Sequence, residues 1–468
     1  MKFEKILEGF GGPGRVQYFL MIVAFFGFAV NNMQTYVQMF MQGDDNYRCF
    51  VPSCDNSSSK YNEQWLNFTT PMVYDKKIDG KLVCDKKYFI ELSMTIYLAG
   101  FLCGVFVFGL ISDRISAPCE THSHPYSSKF DQEGLAQVQH LVTEVCVANS
   151  RVIVTASTFG SEFGSFLLVG IAYFFRNWKE LQIAVTIFSS LFLFCFCFLP
   201  ESPRWLFMKG RNEEAKQTLK KIFQVHKKEQ SIKFFNHIDK VKIEGFSENK
   251  LNFIGVLKIS SLRKRLLING FIWICAGLIS YGIALGAKNM SGSIYVNYTF
   301  ITVGKTVGCL ICTLCVKYIK RRISSSICFF CLAFFCLTLA LIPEDLVLLA
   351  QVLTMIATGF INAAFNLIYI YTVELFPTQI RSSALGFGSM LSQIGGMVAL
   401  FVNNSIYVWR PLPPIIFSVT GFLAAAMILL LPETINKPLP SVQDITRKKG
   451  QLINTSNTDT DSEYSIRL

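Results

Sequence analysis

The run ISSSICFFCLAFFCLTLALI, residues 323–342, contains no charged side chain. A helix of about 20 apolar residues is long enough to cross the hydrocarbon core of a bilayer. Nine further apolar runs of similar length occur along the chain, so we predict ten membrane spans. They are Val16–Met41, Phe89–Ser112, Val152–Phe175, Leu181–Leu199, Leu266–Gly286, Tyr295–Val316, Ile323–Ile342, Leu346–Tyr371, Ala384–Val402 and Leu412–Leu431. The predicted fold class is an all-α polytopic membrane protein.

The composition of the whole chain agrees with this prediction. Its 468 residues are 51% hydrophobic and 16% charged, with a mean hydropathy of +0.39. Soluble domains carry about 25% charged residues, so the soluble, disordered and disulfide-stapled secreted classes fit poorly. No nucleophile–base pair or metal-ligand spacing stands out. The chain is therefore predicted not to be an enzyme and to use neither cofactor nor metal.

The positive charge is concentrated in one loop. Residues 204–265 contain 16 Lys and Arg against 6 Asp and Glu, which accounts for +10 of the net charge of +12. Basic loops beside membrane spans lie on the cytoplasmic side, and this loop lacks any motif that reads nucleic acid. With ten spans, both termini are then cytoplasmic and residues 42–88 lie outside. That outer segment carries glycosylation sequons at Asn56 and Asn67 and three cysteines, as expected of an extracellular face.

Matched landmarks in the two parts of the chain indicate an internal duplication. Leu199-Pro200-Glu201 ends one apolar block, and Leu431-Pro432-Glu433 ends the other. Glu144 lies 57 residues before Glu201, and Glu374 lies 59 residues before Glu433. Seven residues after each of these two upstream glutamates, Glu144 and Glu374, there is an arginine. The two arginines are Arg151 and Arg381. Transporters built from repeated helical units show such correspondence.

The same comparison exposes a gap in the first half. The basic turn at Lys317 lies 57 residues before Glu374, whereas the corresponding turn at Asp113 lies only 31 residues before Glu144. Residues 116–139 in between are polar and cannot cross a membrane. Two spans that the duplication requires are therefore predicted to be absent.

Four units follow from these patterns. Residues 1–203 form an incomplete N-terminal helical half, and residues 204–265 form the basic cytoplasmic loop. Residues 266–434 form a six-helix C-terminal half, and residues 435–468 form a polar cytoplasmic tail.

Several motifs resemble the organic cation, organic anion and carnitine transporters, a solute-carrier branch of the major facilitator superfamily. They are Leu82-Val83-Cys84-Asp85, Gly109-Leu110-Ile111-Ser112-Asp113-Arg114, the stretch PESPRWL at 200–206 and the stretch YIYTVELFPT at 369–378. The resemblance covers residues 1–115 and 141–440. It implies a twelve-helix fold from which the third helix and most of the fourth are missing here.

The resemblance also implies a function. A member of this group is a plasma-membrane, multi-pass secondary transporter that moves small organic ions (cations, carnitine-like zwitterions or anions) by alternating access. The alternative is a transport-inactive truncated or splice-variant member with a regulatory role or none. The partners implied are the organic ion and the lipid bilayer, with no oligomeric state predicted. Gly304-Lys305-Thr306 imitates a phosphate-binding loop, but Thr299 replaces the required glycine, so no nucleotide is expected.

Two charged residues lie near the middle of predicted spans, Glu162 and Lys305. Such a charge is costly unless it faces the bundle interior or a water-filled cavity. Since relatives usually have an acidic residue at the position of Lys305, we predict that it attracts anions in the translocation path. The alternatives are a structural pair with Glu162 and a side chain that extends to the membrane interface. Glu162 itself either titrates with substrate or pairs with Lys305.

The remaining substrate-binding candidates are polar or aromatic. Gln393 lies where cation carriers of the group often have Asp and anion carriers Arg, although a packing role beside two glycines is the alternative. Aromatic walls suit organic ions through cation–π and apolar contacts. Tyr281 and Tyr369 match pocket positions of the group, and helix packing is the alternative for every aromatic residue. The other aromatic candidates are Phe271, Trp273, Phe365 and Tyr371.

A second set of charged residues lies at the predicted cytoplasmic helix ends. The resemblance to this transporter group implies that these residues form ionic contacts that open and close the substrate pathway. The alternative is that these charges only keep the helix ends soluble in water. They are Asp113, Arg114, Glu144, Arg151, Arg321, Arg322, Glu374 and Arg381.

Overall fold

The computed structural model describes residues 15–41, 92, 95–100, 151–196, 213–214, 217–218, 259–343, 345–376 and 380–434. Within these ranges the chain is helical, without a strand. The long helices are α1 (Arg15–Met41), α2 (Arg151–Phe174), α3 (Trp178–Phe196), α4 (Ser260–Gly286), α5 (Ile294–Tyr318), α6 (Arg321–Ala340), α7 (Val347–Leu375), α8 (Arg381–Asn404) and α9 (Leu412–Ile428). Short 3₁₀ turns follow α4 and α8, at Ala287–Asn289 and Ser405–Tyr407.

These helices coincide with nine of the ten predicted spans. The remaining span, Phe89–Ser112, is described only at Leu92 and at residues 95–100, which are helical. Among the described residues, five helices are long and apolar enough to cross a membrane, and two shorter apolar helices cover Thr158–Phe174 and Leu412–Ile428. The predicted all-α membrane fold is thereby confirmed.

The largest difference from a predicted boundary is at the start of α4. Helix α4 begins at Ser260 rather than at Leu266, so Arg263, Lys264 and Arg265 belong to its first turns. Lys and Arg are good helix formers, and their long side chains reach water from a helix that enters a membrane. The apolar run therefore marks the membrane-embedded part of the helix but not its start.

Pairwise packing of the helices creates two halves that meet along one seam. In the first half α1 packs along α2, and in the second half α4 packs along α8 while α5 packs along α7. Helix α6 lies against both α7 and α9. The two halves contact each other where α2 packs against α5.

Glycines permit the closest of these crossings. On α2, Gly160 and Gly164 lie against the backbone of α1, at Phe25 and Ala29. On α5, Gly304 and Gly308 lie against the backbone of α7, at Met355 and Gly359. Small residues four apart let helix backbones approach closely in a bilayer, where hydrophobic association does not drive packing. Each glycine pair brackets one of the two buried charges, Glu162 on α2 and Lys305 on α5.

Substitution of Gly308 is expected to destabilise the bundle. A Cβ atom at this position would overlap the carbonyl oxygen of Gly359, and a backbone atom cannot rotate away. We expect Gly308→Ala to lower the free energy of unfolding by about 1–3 kcal/mol. Gly386→Ala is the matched control, because no heavy atom lies within 4 Å of its Cβ position and alanine has the higher helix propensity. Thermal unfolding of the two purified variants should shift in opposite directions, and an unchanged Gly308→Ala protein would refute the close crossing.

Candidate substrate cavity between the two halves

The two charges predicted to lie inside spans meet at the seam between the halves. Glu162 lies on α2 and is 4% exposed, while Lys305 lies on α5 and is 6% exposed. The sequence therefore placed both charges correctly in the bundle interior.

Lys305 is held by aromatic rings. Its Nζ atom lies 4.2 Å from the ring centroid of Tyr36 on α1 and 5.7 Å from that of Tyr298 on its own helix. These distances are typical of cation–π contacts, which gain strength when water is excluded. Glu162 and Lys305, both of them described, do not form a direct ion pair. Among the described residues, Lys305 is thus held over aromatic rings and not in an ion pair.

Glu162 is only partly satisfied by its surroundings. The Nδ2 atom of Asn362 on α7 donates to Glu162 Oε1 at 3.4 Å, and the same nitrogen donates to the backbone oxygen of Lys305 at 2.7 Å. The other carboxyl oxygen, Oε2, is buried and has no hydrogen-bond partner among the described residues. Asn362 therefore connects the two charged positions and joins the halves through one weak hydrogen bond.

Tyr281 and Gln393 continue this group of contacts within the second half. The Tyr281 hydroxyl donates to Gln393 Oε1 at 3.1 Å, and the Tyr281 ring lies 6.3 Å from that of Tyr36. The structure thus brings together two predicted site residues from α4 and α8 and places them beside the aromatic partner of Lys305. Gln393 is buried at this position.

Towards the predicted extracellular end, aromatic rings close the seam. Phe40 contacts Tyr298 with ring centroids 5.4 Å apart and stacks on Tyr295 at 5.8 Å. Tyr295 in turn contacts Tyr173 of α2 at 5.8 Å. These rings come from both halves, so separating the halves at this end would break all three contacts.

Phe365 and Tyr369 belong to a second aromatic cluster. The Trp273 ring lies 4.6 Å from Tyr369 and 5.6 Å from Phe365, and its Nε1 donates to Thr372 Oγ1 at 3.1 Å. Trp273 is fully buried, which assigns it to packing inside the second half.

Two aromatic candidates lie apart from these clusters. Phe271 is 37% exposed on the outer side of α4. The Tyr371 hydroxyl donates to the backbone oxygen of Pro432 at 2.6 Å, at the predicted cytoplasmic end.

The charged residues at the predicted cytoplasmic end form a compact network within the second half. Arg321 Nε lies 3.5 Å from Glu374 Oε1, and the Arg321 backbone N–H donates to Glu433 Oε1 at 3.1 Å. The Thr434 hydroxyl donates to Glu374 Oε2 at 2.7 Å. Glu374 is therefore tied to the start of α6 and to the segment after α9. Arg322 is half-buried beside this network.

The remaining gating candidates and both sequons are not described with their side chains. Outside the described residues lie Asp113, Arg114, Glu144, Asn56 and Asn67. The backbones of Arg151 and Arg381 are described, but their side chains are not. Their roles stay predictions. Within the described ranges no group of three or more potential metal ligands occurs.

Three site residues were missed by sequence reasoning, namely Tyr36, Tyr298 and Asn362. Asn362 carried a usable signal, because an amide inside the apolar run 346–371 is expensive unless it is hydrogen-bonded. The two tyrosines carried none, since an aromatic residue in a span packs against a neighbour or faces lipid far more often than it holds a ligand.

The fold has known counterparts. The xylose transporter XylE from E. coli, in its inward open conformation, matches with a TM-score of 0.56 at 17% identity, over 92% of this chain and 99% of that chain. XylE is a major facilitator superfamily transporter, so this likeness assigns the chain to that fold. The likeness shows the fold of this helical bundle, in which two charged side chains lie buried at the seam between the halves.

The chain belongs to the sugar (and other) transporter family, which matches residues 143–445. It is 28% identical to the human organic cation/carnitine transporter 2 over 402 residues, covering 80% of this chain and 72% of that protein. It is 26% identical to solute carrier family 22 member 6-B of Xenopus laevis over an alignment of 525 residues, covering 94% of each. These relatives confirm the resemblance predicted from the motifs.

Proposed function

We propose that this protein is a secondary transporter of small organic ions in the plasma membrane, with an anion-selective site at Lys305. The observation that carries the proposal is Lys305, which is buried at the seam between the halves and has no ion-pair partner among the described residues. Transporters that work by alternating access bind substrate at such a midplane seam.

The surroundings of Lys305 favour an organic anion over an inorganic one. An anionic group can approach the ammonium, which has three N–H donors, while Tyr36, Tyr281 and Tyr298 offer apolar ring surface beside it. The Gln393 amide lies next to Tyr281 and can donate to the same ligand. Relatives named as organic cation and carnitine transporters support a small organic ion as the substrate. The positive charge of Lys305 favours a substrate that is negatively charged.

Ligand stabilisation of the purified protein tests this proposal. A ligand that binds only the folded state raises the unfolding temperature. Benzenesulfonate and benzyltrimethylammonium are matched aromatic probes of opposite charge. We expect the anion to raise the unfolding temperature of the wild type and not that of Lys305→Gln. Equal stabilisation of both proteins by the anion would overturn the assignment.

A transport-inactive role is the second candidate. Spacing predicts that two helices of the first half are absent, and the 525-residue alignment with the Xenopus relative is longer than this chain, which requires gaps in it. Sequencing the transcript across the codons for residues 110–145 separates the alternatives. A longer message that encodes two further spans would support an active transporter, whereas a confirmed short message would support the inactive form.

The proposed orientation places both termini in the cytoplasm and residues 42–88 outside. It predicts glycosylation at Asn56 or Asn67, because these sequons lie opposite the basic loop 204–265. Glycosidase treatment of cell-expressed protein should increase its mobility on a gel, and the double variant Asn56→Gln/Asn67→Gln should already migrate at that position. A wild-type protein whose mobility does not respond would count against this topology.

A further inference from the structure

We infer that Glu162 is a proton-binding site whose protonation is coupled to anion binding at Lys305. The coupling rests on the proposed function, whereas the protonation of Glu162 rests on geometry alone. The two parts are therefore tested by separate measurements below.

The first step concerns the small number of hydrogen bonds that the buried carboxyl group of Glu162 receives. Glu162 is almost fully buried, its Oε2 has no partner among the described residues, and its Oε1 receives one long hydrogen bond from Asn362. An ionised carboxylate in an apolar medium costs several kcal/mol unless it is paired and well hydrogen-bonded. A protonated carboxylic acid removes most of that cost, and its remaining oxygen still accepts from Asn362.

The second step concerns the groups that surround Glu162. The titratable side chains described around it are Tyr36 of α1 and Tyr298, Lys305 and Cys309 of α5. Tyrosine and cysteine are neutral at neutral pH, so Lys305 is the one charge among these groups that can compensate an ionised Glu162. The Lys305 ammonium instead lies over the rings of Tyr36 and Tyr298. This arrangement fits a neutral Glu162.

The third step is the effect on a ligand. An ionised Glu162 would compete with an external anion for Lys305 and would repel that anion. When a proton from water binds the carboxylate, this repulsion disappears and the positive charge of Lys305 is left uncompensated. Proton and anion thus favour each other's binding, and by linkage the anion must in turn increase proton uptake. In a transport cycle the two would move in the same direction.

Infrared spectroscopy of the purified protein in lipid tests the proton directly. The C=O stretching band of a protonated carboxylic acid should be present near neutral pH in the wild type and absent in Glu162→Gln. Glu180→Gln is the matched control, because Glu180 lies exposed on α3, and it should retain the band. If Glu162→Gln and Glu180→Gln have the same spectrum as the wild type, Glu162 is ionised and the inference fails.

The coupling between protonation of Glu162 and anion binding is tested by measuring the affinity for benzenesulfonate from about pH 5 to about pH 9. Benzenesulfonate stays ionised over this whole range. Wild-type affinity should rise with falling pH, by up to about tenfold per pH unit for one proton. Glu162→Gln should bind with the affinity that the wild type reaches at low pH, and without pH dependence. The same pH dependence in both proteins would overturn the coupling. A wild type that does not bind benzenesulfonate at all would refute the role of Lys305 and the coupling, while the infrared result would still decide the protonation.

Discussion

Replacing Lys305 with glutamate is expected to reverse the charge preference of the protein. The ammonium lies in a buried seam, where a unit charge is felt over several ångströms and water screens it little. Reversing its sign should change the ratio of cation to anion binding by more than about tenfold, since about 1.4 kcal/mol suffices for that factor. The neighbouring Glu162 would add a second acidic group and increase the attraction for cations. The measurement is uptake, and in parallel binding, of a matched cationic and anionic tracer.

Two further variants separate a site effect from a general one. Lys317→Glu reverses a charge on the same helix at an exposed position near its end, so the preference should stay unchanged. Lys305→Gln removes the positive charge but adds no negative charge that would repel the anion. This variant should therefore lose the preference for anions and should not gain a preference for cations. An unchanged cation-to-anion ratio in Lys305→Glu would assign Lys305 to a structural role.

The second large effect concerns the two helices that are predicted to be absent, and it decides between the proposed transporter and the transport-inactive alternative. If both helices are absent, we expect the 468-residue protein to transport weakly or not at all, and a version with a third and fourth helix in place of residues 116–139 to transport organic ions. In this fold each half combines two three-helix units, so loss of two helices removes one wall of the midplane site. The helices that remain would expose polar or small-residue faces for which lipid offers no partner.

Uptake into liposomes by the two purified proteins is the measurement. Benzenesulfonate stabilisation of each protein shows that both are folded, and Lys305→Gln in the restored version shows that uptake depends on the site. Saturable, substrate-specific uptake by the 468-residue protein would contradict the prediction. It would mean that ten helices make a working carrier.

The sequence alone was sufficient for nine of the membrane spans. Whether a segment enters a bilayer depends on its own apolar length, which is a local property, and nine predicted spans correspond to described helices. The burial of Glu162 and Lys305 followed from the same reasoning, because a charge inside such a span is tolerated only towards the interior. The motifs around 200–206 and 369–378 were enough to indicate the family.

The partners of these residues were decided by the tertiary structure. Sequence reasoning left a Glu162–Lys305 pair open, but the ammonium lies over Tyr36 and Tyr298. Likewise, Glu374 is tied to Arg321, a residue on another helix. Such contacts depend on the rotation and crossing of helices that are distant in sequence, and glycines bring α1 close to α2 and α5 close to α7. Hydropathy determines which segments enter the membrane, whereas only the packed bundle determines which side chains meet there.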